Sequence, residues 1–214
     1  MDRFRKIASL IFFCLVVAGC VSVPEQPTSV EWQAHQRQLQ EIQYYQATGK
    51  LAYISPEERQ SLNFLWKHSP NFSQLRLTTF LGQTALNLTI NEYGAKVVTY
   101  DDQVFTHRSA SKLVKQLTGL TIPVDHLPQW LLGNPDQADT YLLNANNTVE
   151  ALSKQIDGKA WQLNFDRYRD VTLSQNFDSQ NDTVEKVLPL PTRLSFKQDE
   201  NKINIVVSKW TLDK

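Results

Sequence analysis

The amino-acid sequence predicts a mainly β protein of the α+β type, built on one long antiparallel sheet. Three observations support this prediction: hydrophobic and polar residues alternate cleanly in most segments, about eleven segments have strand character, and only three short segments have a helical pattern. Such alternation gives each strand one apolar and one polar face, as in an antiparallel sheet with one face on the core. The chain is long enough to build this core as one domain.

The first predicted element after the N-terminal region is a helix from Thr28 to about Tyr45. Thr28 and Glu31 have the spacing of a capping box, and the large apolar side chains of this segment fall roughly on one stripe. After Gly49 the hydrophobic period changes from the helical value to two, which indicates the start of the sheet.

The predicted strands follow from the alternation and from the turn residues that bound it. In the second strand, for example, Leu62, Phe64 and Trp66 alternate with less apolar neighbours. We predict eleven strands, at residues 50–55, 60–68, 72–79, 84–90, 95–100, 103–106, 140–143, 148–155, 159–168, 192–198 and 202–210.

Two more helices and one long loop interrupt this series of strands. The helices are predicted at residues 109–118 and about 124–132, and a glycine follows each in the C-cap position. Residues 175–188 are polar and predict a long connecting loop.

The apolar residues of the strands outnumber those that the helices can offer to cover them. Three short helices carry about nine large apolar side chains, against more than fifteen on the strands. The sheet therefore either closes into a barrel that fills itself or stays open around an apolar cavity. Tryptophan rings from distant segments could fill the core of a closed barrel or line the cavity of an open one, and the hydrophobic pattern is compatible with both. The five tryptophans are Trp32, Trp66, Trp130, Trp161 and Trp210.

The first twenty residues have the pattern of a bacterial lipoprotein signal peptide. Three basic residues precede an apolar run at 7–18, which is too short to span a bilayer as a finished helix. The sequence Val-Ala-Gly-Cys that follows resembles a lipobox, which implies cleavage before Cys20 and its N-acylation and S-diacylglyceryl modification. The alternative is an ordinary signal peptide that happens to contain a cysteine. We expect a signal peptide at 1–19, a lipidated tether at 20–29 and a single domain at 30–214.

The residues left after cleavage indicate where the protein is located and which partners are excluded. Val21 stands where an Asp would retain an enteric-type lipoprotein in the inner membrane, which implies the periplasmic face of the outer membrane. Cys20 is then the only cysteine, so no intramolecular disulfide forms. Of the 22 basic and 22 acidic residues, 19 and 21 remain after cleavage. A net charge of about −2 without a basic run argues against a nucleic-acid partner.

The sequence contains no convincing catalytic or metal-binding motif. The four histidines lack metal-ligand spacing, and no nucleophile elbow or phosphate-binding loop is present. Asp101 and Asp102 lie between two short strands, which is typical of a turn. These features predict a protein that is not an enzyme, uses no metal or cofactor, does not couple to ATP, and acts through binding affinity.

The segment TTFLGQTAL at residues 78–86 is unusual for a hairpin. It lies between two predicted strands, where a hairpin tip normally carries Asn, Asp, Gly or Ser. Here the tip carries Phe80 and Leu81, followed by a single Gly82. Water disfavours two large apolar side chains at an exposed position, and the segment by itself leaves their purpose open.

Several segments resemble the LolB family of outer-membrane lipoproteins, over nearly the whole mature chain. The most specific is LTGLTIPVDHLPQWLLGNP at 117–135, which is similar to the family element LTG-x-x-IP…QW-x-LG. Further similarities are GKLAY at 49–53, GKAW at 158–161, and the positions of Trp66 and Trp210.

The resemblance implies an open, incomplete barrel of about eleven antiparallel strands, in which helices plug one side and an apolar cavity receives acyl chains. It also implies a receptor that takes acylated lipoproteins from the periplasmic carrier LolA and inserts them into the outer membrane without ATP. The expected partners are LolA, lipoprotein cargo and outer-membrane phospholipid, and the expected state is a monomer. The candidate cavity residues are Phe64, Trp66, Leu75, Leu77, Leu86, Leu88, Trp130, Trp161, Leu163 and Ile205.

The resemblance further implies that Leu81, followed by Gly82 in a protruding loop, enters the membrane. Phe80 stands where a Pro is expected, which predicts a less rigid loop and a shared membrane contact. The alternative is that Leu81 folds back as a cap on the core. Two other functions stay open: a lipoprotein of the same fold that binds a lipid or glycolipid, and a structural lipoprotein with a filled barrel.

Overall fold

The computed structural model describes residues 27–119, 122–173 and 186–213. Within these ranges the chain forms three helices and eleven strands. The helices are α1 (Trp32–Gln40), α2 (Ala110–Thr118) and α3 (Leu127–Trp130). The strands are β1 (Tyr44–Ile54), β2 (Arg59–Ser69), β3 (Phe72–Thr78), β4 (Thr84–Asn91), β5 (Gly94–Thr99), β6 (Val104–His107), β7 (Thr140–Leu143), β8 (Val149–Ile156), β9 (Lys159–Leu173), β10 (Lys186–Gln198) and β11 (Asn201–Asp213).

All eleven strands belong to one antiparallel sheet with the order β6-β5-β4-β3-β2-β1-β11-β10-β9-β8-β7. The sheet consists of two meanders, β1 to β6 and β7 to β11, which are joined because β1 pairs with β11 along its whole length. β6 and β7 are the two edges and do not pair with each other, so the barrel is open. This confirms the predicted open antiparallel sheet of eleven strands with few helices.

One face of the sheet carries the hydrophobic core, and the helices contribute to the same core. α2 packs against β5 and β6 and buries Ala110, Leu113 and Val114. The Ser109 side chain caps its first turn by accepting a hydrogen bond from the Lys112 amide, and Gly119 ends it in the left-handed conformation. The short helices therefore cover part of the apolar face of the sheet.

The predicted first helix is wrong at both ends. Glu31, rather than Thr28, is the N-cap, because its carboxylate accepts hydrogen bonds from the Gln33 and Ala34 amides. The Thr28 hydroxyl instead donates to Asp170 of β9, 2.7 Å away. The helix ends at Gln40, and from Tyr44 onward the chain pairs with β11, so sheet pairing overrides the helical pattern at Tyr44 and Tyr45.

The strands β9 and β10 are longer than predicted. β10 begins at Lys186, so residues 186–188 of the predicted loop are strand, and the rest of that loop lies outside the described residues. Proline has no backbone N–H to donate to a neighbouring strand, so Pro189 and Pro191 argue against a strand that is paired on both sides. Here β10 pairs with β11 only from Arg193 onward, so the two prolines lie where β10 has β9 alone as its partner.

Candidate functional site

The β3–β4 hairpin presents its two apolar tip residues to solvent. The Thr79 amide donates to the Gln83 carbonyl at 2.9 Å, and the Gly82 amide donates to the Thr79 carbonyl at 3.0 Å. Gly82 has a φ of +84°, which closes the turn without strain. Phe80 is 88% exposed and Leu81 is 71% exposed. Leu81 therefore does not fold back onto the core, and its membrane role stays a prediction.

Two other hairpins have the same turn and show that its geometry does not require an apolar residue at the third position, which Leu81 occupies. The three turns are Thr79–Gln83, Thr99–Gln103 and Asn144–Thr148. In each, the first amide donates to the fifth carbonyl, and the fourth amide donates to the first carbonyl, at distances of 2.9 to 3.2 Å. The fourth residue is left-handed in all three, as Gly82, Asp102 and Asn147.

The residue at the third position of these turns differs in chemistry. Asp101 accepts hydrogen bonds from Thr99 and Gln103, and Asn146 donates to the Pro27 carbonyl, so both support the local structure. Leu81 makes no comparable contact within the described part of the chain and is mostly exposed. Because a polar residue would build the same turn, the apolar side chain is explained better by a contact outside the molecule.

The ten candidate cavity residues all belong to the core face of the sheet or pack against it. Seven are buried, namely Phe64, Trp66, Leu88, Trp130, Trp161, Leu163 and Ile205. Three are partly buried, namely Leu75, Leu77 and Leu86. Whether this face holds a cavity for acyl chains stays a proposal.

Six of these residues come together in two cross-strand rows on β2, β3 and β4. Phe64, Leu77 and Leu86 are directly opposite one another in the row nearer the exposed tip. Trp66, Leu75 and Leu88 form the next row. Directly opposed side chains on one face of a sheet are within contact distance. The hairpin therefore carries two apolar rows between the core and its tip, and two residues of the row nearer the tip, Leu77 and Leu86, are only partly buried.

A buried hydrogen-bond relay connects this part of the sheet to α3. The Trp66 indole N–H donates to the Tyr45 hydroxyl at 2.9 Å, and that hydroxyl donates to the Pro128 carbonyl at 2.7 Å. Burial raises the pKa of the Tyr45 hydroxyl, which therefore stays protonated and able to donate. Trp130, in the same helix, is fully buried and donates to the Asp136 carbonyl at 2.9 Å. The sequence reasoning missed Tyr45, because it placed this residue at the end of a helix.

Tyr45→Phe is expected to lower the free energy of unfolding by about 1–3 kcal/mol, because it leaves the Trp66 N–H and the Pro128 carbonyl without their partner. Urea unfolding followed by fluorescence measures this change. Tyr53→Phe is the matched control: its hydroxyl bonds the part-buried Asn201 side chain at 2.9 Å, where water can replace the lost contact. Equal losses of unfolding free energy in Tyr45→Phe and Tyr53→Phe would contradict a special role for the relay.

A buried histidine lies on the inner side of α1. His35 is 2% exposed, its ring is 6.2 Å from that of Trp32, and neither ring nitrogen has a hydrogen-bond partner among the described residues. Desolvation lowers the pKa of His35 to about 4, so the ring is neutral at pH 7. An unpaired imidazole in the core lowers stability compared with an apolar side chain of similar size.

We expect acid to destabilise the protein through His35. Between pH 6.5 and about 4 the unfolded chain binds a proton that the folded chain does not, so the free energy of unfolding falls as the pH falls, by up to about 3 kcal/mol. His35→Leu should raise stability at pH 7 by about 1–2 kcal/mol and flatten this part of the pH profile. His68 and His126, whose pKa values burial also lowers, retain a weaker dependence in the same direction. An unchanged profile of unfolding free energy against pH would contradict the assignment.

The described residues contain no group of three or more His, Cys, Asp or Glu side chains that would hold a metal ion. In the part of the chain that the structure covers, no helix is both long and apolar enough to cross a membrane. Cys20 lies outside the described residues, so its lipidation stays a prediction.

The fold defines the class of this protein as an open antiparallel half-barrel with short helices on its apolar face. A crystal structure of a proposed outer-membrane lipoprotein-sorting protein domain from Vibrio parahaemolyticus has the same fold, with a TM-score of 0.51 and 8% identity, over 86% of this chain and 92% of that one. The family of the outer-membrane lipoprotein LolB matches residues 43–210.

Full-length relatives agree with the family match. Outer-membrane lipoprotein LolB of Vibrio atlanticus is 70% identical over the full length of both chains. That of Vibrio vulnificus is 52% identical, over 95% of this chain and 96% of its own. The chain belongs to the LolB family of outer-membrane lipoproteins.

Proposed function

We propose that this chain is a receptor anchored in the outer membrane that accepts acylated lipoproteins from the periplasmic carrier LolA and inserts them into the inner leaflet without ATP. The observation that carries the proposal is the exposed pair Phe80 and Leu81, in a turn type for which two other hairpins have a polar residue, Asp101 or Asn146, at the position of Leu81. Membership of the LolB family supports the outer-membrane location.

The physical problem is the transfer of acyl chains across water. Exposing an acyl chain costs about 0.8 kcal/mol per methylene, so several chains amount to tens of kcal/mol. An apolar cavity on the carrier and a second one on the receptor keep the chains out of water at each step. Without ATP, the direction follows from tighter binding by each successive acceptor, with about 1.4 kcal/mol for a tenfold preference.

The β3–β4 hairpin offers a path from the core to the bilayer. The row Phe64, Leu77 and Leu86 lies next to the tip, and two of its three members are only partly buried. Acyl chains that slide along this row come near the turn that carries Phe80 and Leu81. These two side chains, buried in the membrane, would each gain about 1.5–3 kcal/mol.

The arrangement of the chain at the membrane is part of the proposal. Residues 1–19 are the signal peptide, Cys20 carries the lipid anchor, 20–29 are the tether and 30–214 form one domain. The domain faces the periplasm as a monomer, meets outer-membrane phospholipid through its hairpin tip, and performs no chemical conversion.

A reconstituted transfer reaction tests the function. The mature chain with Cys20→Ala is mixed with LolA that carries a lipoprotein, and arrival of the cargo is followed first on the receptor and then in liposomes. Cargo on both is the expected result, because the fold and the loop rather than the anchor perform the transfer. Failure to take cargo from LolA would contradict the proposal. Transfer of free lipid without any dependence on LolA would favour a lipid-binding lipoprotein instead.

A further inference from the structure

The β5–β6 hairpin presents an aromatic residue in the same way as the hairpin that carries Phe80 and Leu81. Its turn, Thr99–Gln103, has the same two backbone hydrogen bonds and the same left-handed fourth residue. Tyr100 occupies the second position, as Phe80 does in the other turn, and is 80% exposed. Both turns therefore project an aromatic ring from the same position of the same backbone geometry.

The two turns are neighbours at one end of the sheet. The strand order β6-β5-β4-β3 is antiparallel throughout, so the β3–β4 and β5–β6 turns emerge at the same end, separated by two strand spacings. Two spacings correspond to about 10 Å. Along the strands, Leu86 is opposite Thr99, so the Thr79–Gln83 turn extends about three residues, or about 10 Å, beyond the Thr99–Gln103 turn. A bilayer that takes in the tip of the first turn therefore meets the second turn at a shallower level.

We propose that Tyr100 is a second, shallower membrane contact, which lies at the level of the phospholipid headgroups while Phe80 and Leu81 enter the hydrocarbon. This inference rests on the proposed function, because it presupposes that the β3–β4 tip meets a bilayer. Tyrosine suits the interface, since its ring is apolar and its hydroxyl hydrogen-bonds to headgroups and water.

The neighbours of Tyr100 limit the depth of this contact. Asp101 follows it and accepts hydrogen bonds from Thr99 and Gln103, and the Thr99 hydrogen bond in particular keeps the pKa of the Asp101 carboxyl below its usual value. A carboxylate that stays charged does not enter hydrocarbon. The turn therefore rests on the membrane surface, whereas the uncharged Phe-Leu-Gly turn can penetrate it.

The other turns at this end of the sheet lack apolar residues of this kind. The β1–β2 turn carries Glu57 and Glu58, the β8–β9 turn carries Asp157, and the β10–β11 turn carries Asp199 and Glu200. The membrane contact is therefore confined to the half of the edge formed by β3 to β6, because the other turns present charged residues rather than a large apolar side chain.

Single-cysteine labelling tests the contact. Cys14 and Cys20 are the only cysteines of the sequence, so the mature Cys20→Ala chain accepts one introduced cysteine without interference. An environment-sensitive NBD label is placed at Leu81→Cys, Tyr100→Cys or Tyr93→Cys and mixed with vesicles of phosphatidylethanolamine and phosphatidylglycerol. Tyr93 is the matched control, because it is 83% exposed in the β4–β5 turn at the opposite end of the sheet.

We expect a strong blue shift and quenching by deep spin-labelled lipid at position 81, quenching by headgroup-level lipid at position 100, and neither at position 93. A label at 100 that behaves like the label at 93 overturns the proposal, even when position 81 enters the membrane. A label at 81 that stays in water contradicts the membrane contact of the proposed function and overturns this proposal together with it.

The same contact has a functional readout. Tyr100→Ala is expected to slow cargo insertion into liposomes threefold to tenfold, with uptake from LolA unchanged, and Tyr100→Trp is expected to restore the rate because Trp also prefers the interface. Tyr93→Ala should transfer at the wild-type rate. Equal rates for Tyr100→Ala and Tyr93→Ala would overturn the assignment.

Discussion

Replacement of Leu81 by Asp is expected to slow insertion of cargo into liposomes at least tenfold, with uptake of cargo from LolA unchanged. Loss of the leucine removes about 1.5–3 kcal/mol of bilayer contact, and the charge adds a cost for entering the hydrocarbon. A tenfold change in rate corresponds to about 1.4 kcal/mol, so the expected effect exceeds that factor. Cargo would accumulate on the receptor, which separates uptake from release in one reaction.

The structure supplies two controls for this variant. Asp occupies the equivalent position of the Thr99–Gln103 turn, so Leu81→Asp keeps a turn that the chain already builds, and its free energy of unfolding should change by less than about 0.5 kcal/mol. Leu142→Asp places the same charge at another exposed leucine, on the edge strand β7. Insertion at the wild-type rate by Leu81→Asp would show that the tip is not the membrane contact.

Gly49→Ala is expected to lower the free energy of unfolding by about 3 kcal/mol or more. Gly49 lies at a shift in the register between β1 and β11, and a Cβ there would overlap the backbone carbonyl oxygen of Val206. Since the obstacle is backbone, relief requires the two strands to move apart at the junction of the two meanders. Overpacking in a well-packed core typically costs about 1–3 kcal/mol. Because the overlap here is with the backbone of a central strand, we expect a loss at or above the upper end of this range.

Urea unfolding of Gly49→Ala and Gly158→Ala side by side measures this effect. Gly158 lies in the β8–β9 turn with a φ of +76°, and a Cβ there meets no atom within 4 Å. Its replacement adds only the strain of a left-handed alanine, about 1 kcal/mol. Comparable losses in both variants would contradict the importance of the close approach at β1 and β11.

The sequence predicted the sheet well because its physical signal is local. Alternation identifies a strand from its own residues, so all eleven strands were found. The errors lie where the neighbouring strand decides the conformation. Tyr44 to Gly49 form a strand because β11 pairs with them. Pro189 and Pro191 can lie in a strand because β11 does not pair with β10 at these two residues. The residues of β1 or β10 alone do not show which neighbouring strand pairs with them.

The candidate site was predictable in part, for a related reason. Phe80 and Leu81 were identified because apolar residues in a predicted turn are locally anomalous. The relay through Tyr45 and the burial of His35 depend on packing between distant elements and carry no local signature. The likeness of the turns around Phe80 and Tyr100 was also missed: TFLGQ and TYDDQ share Thr, an aromatic residue and Gln at the first, second and fifth positions, but only the structure shows their common backbone hydrogen bonds.

The pairing of β1 with β11 has a consequence for how the chain acquires its structure as it is synthesised. The central pair of the sheet joins the first described strand to the last, so it cannot form until nearly the whole polypeptide has been made. Until then β1 and β10 each present an open edge beside an apolar face, which is the condition for aberrant strand pairing between molecules. A holding chaperone that covers these edges would therefore raise the yield of native protein, and a nascent chain lacking β11 would depend on it most.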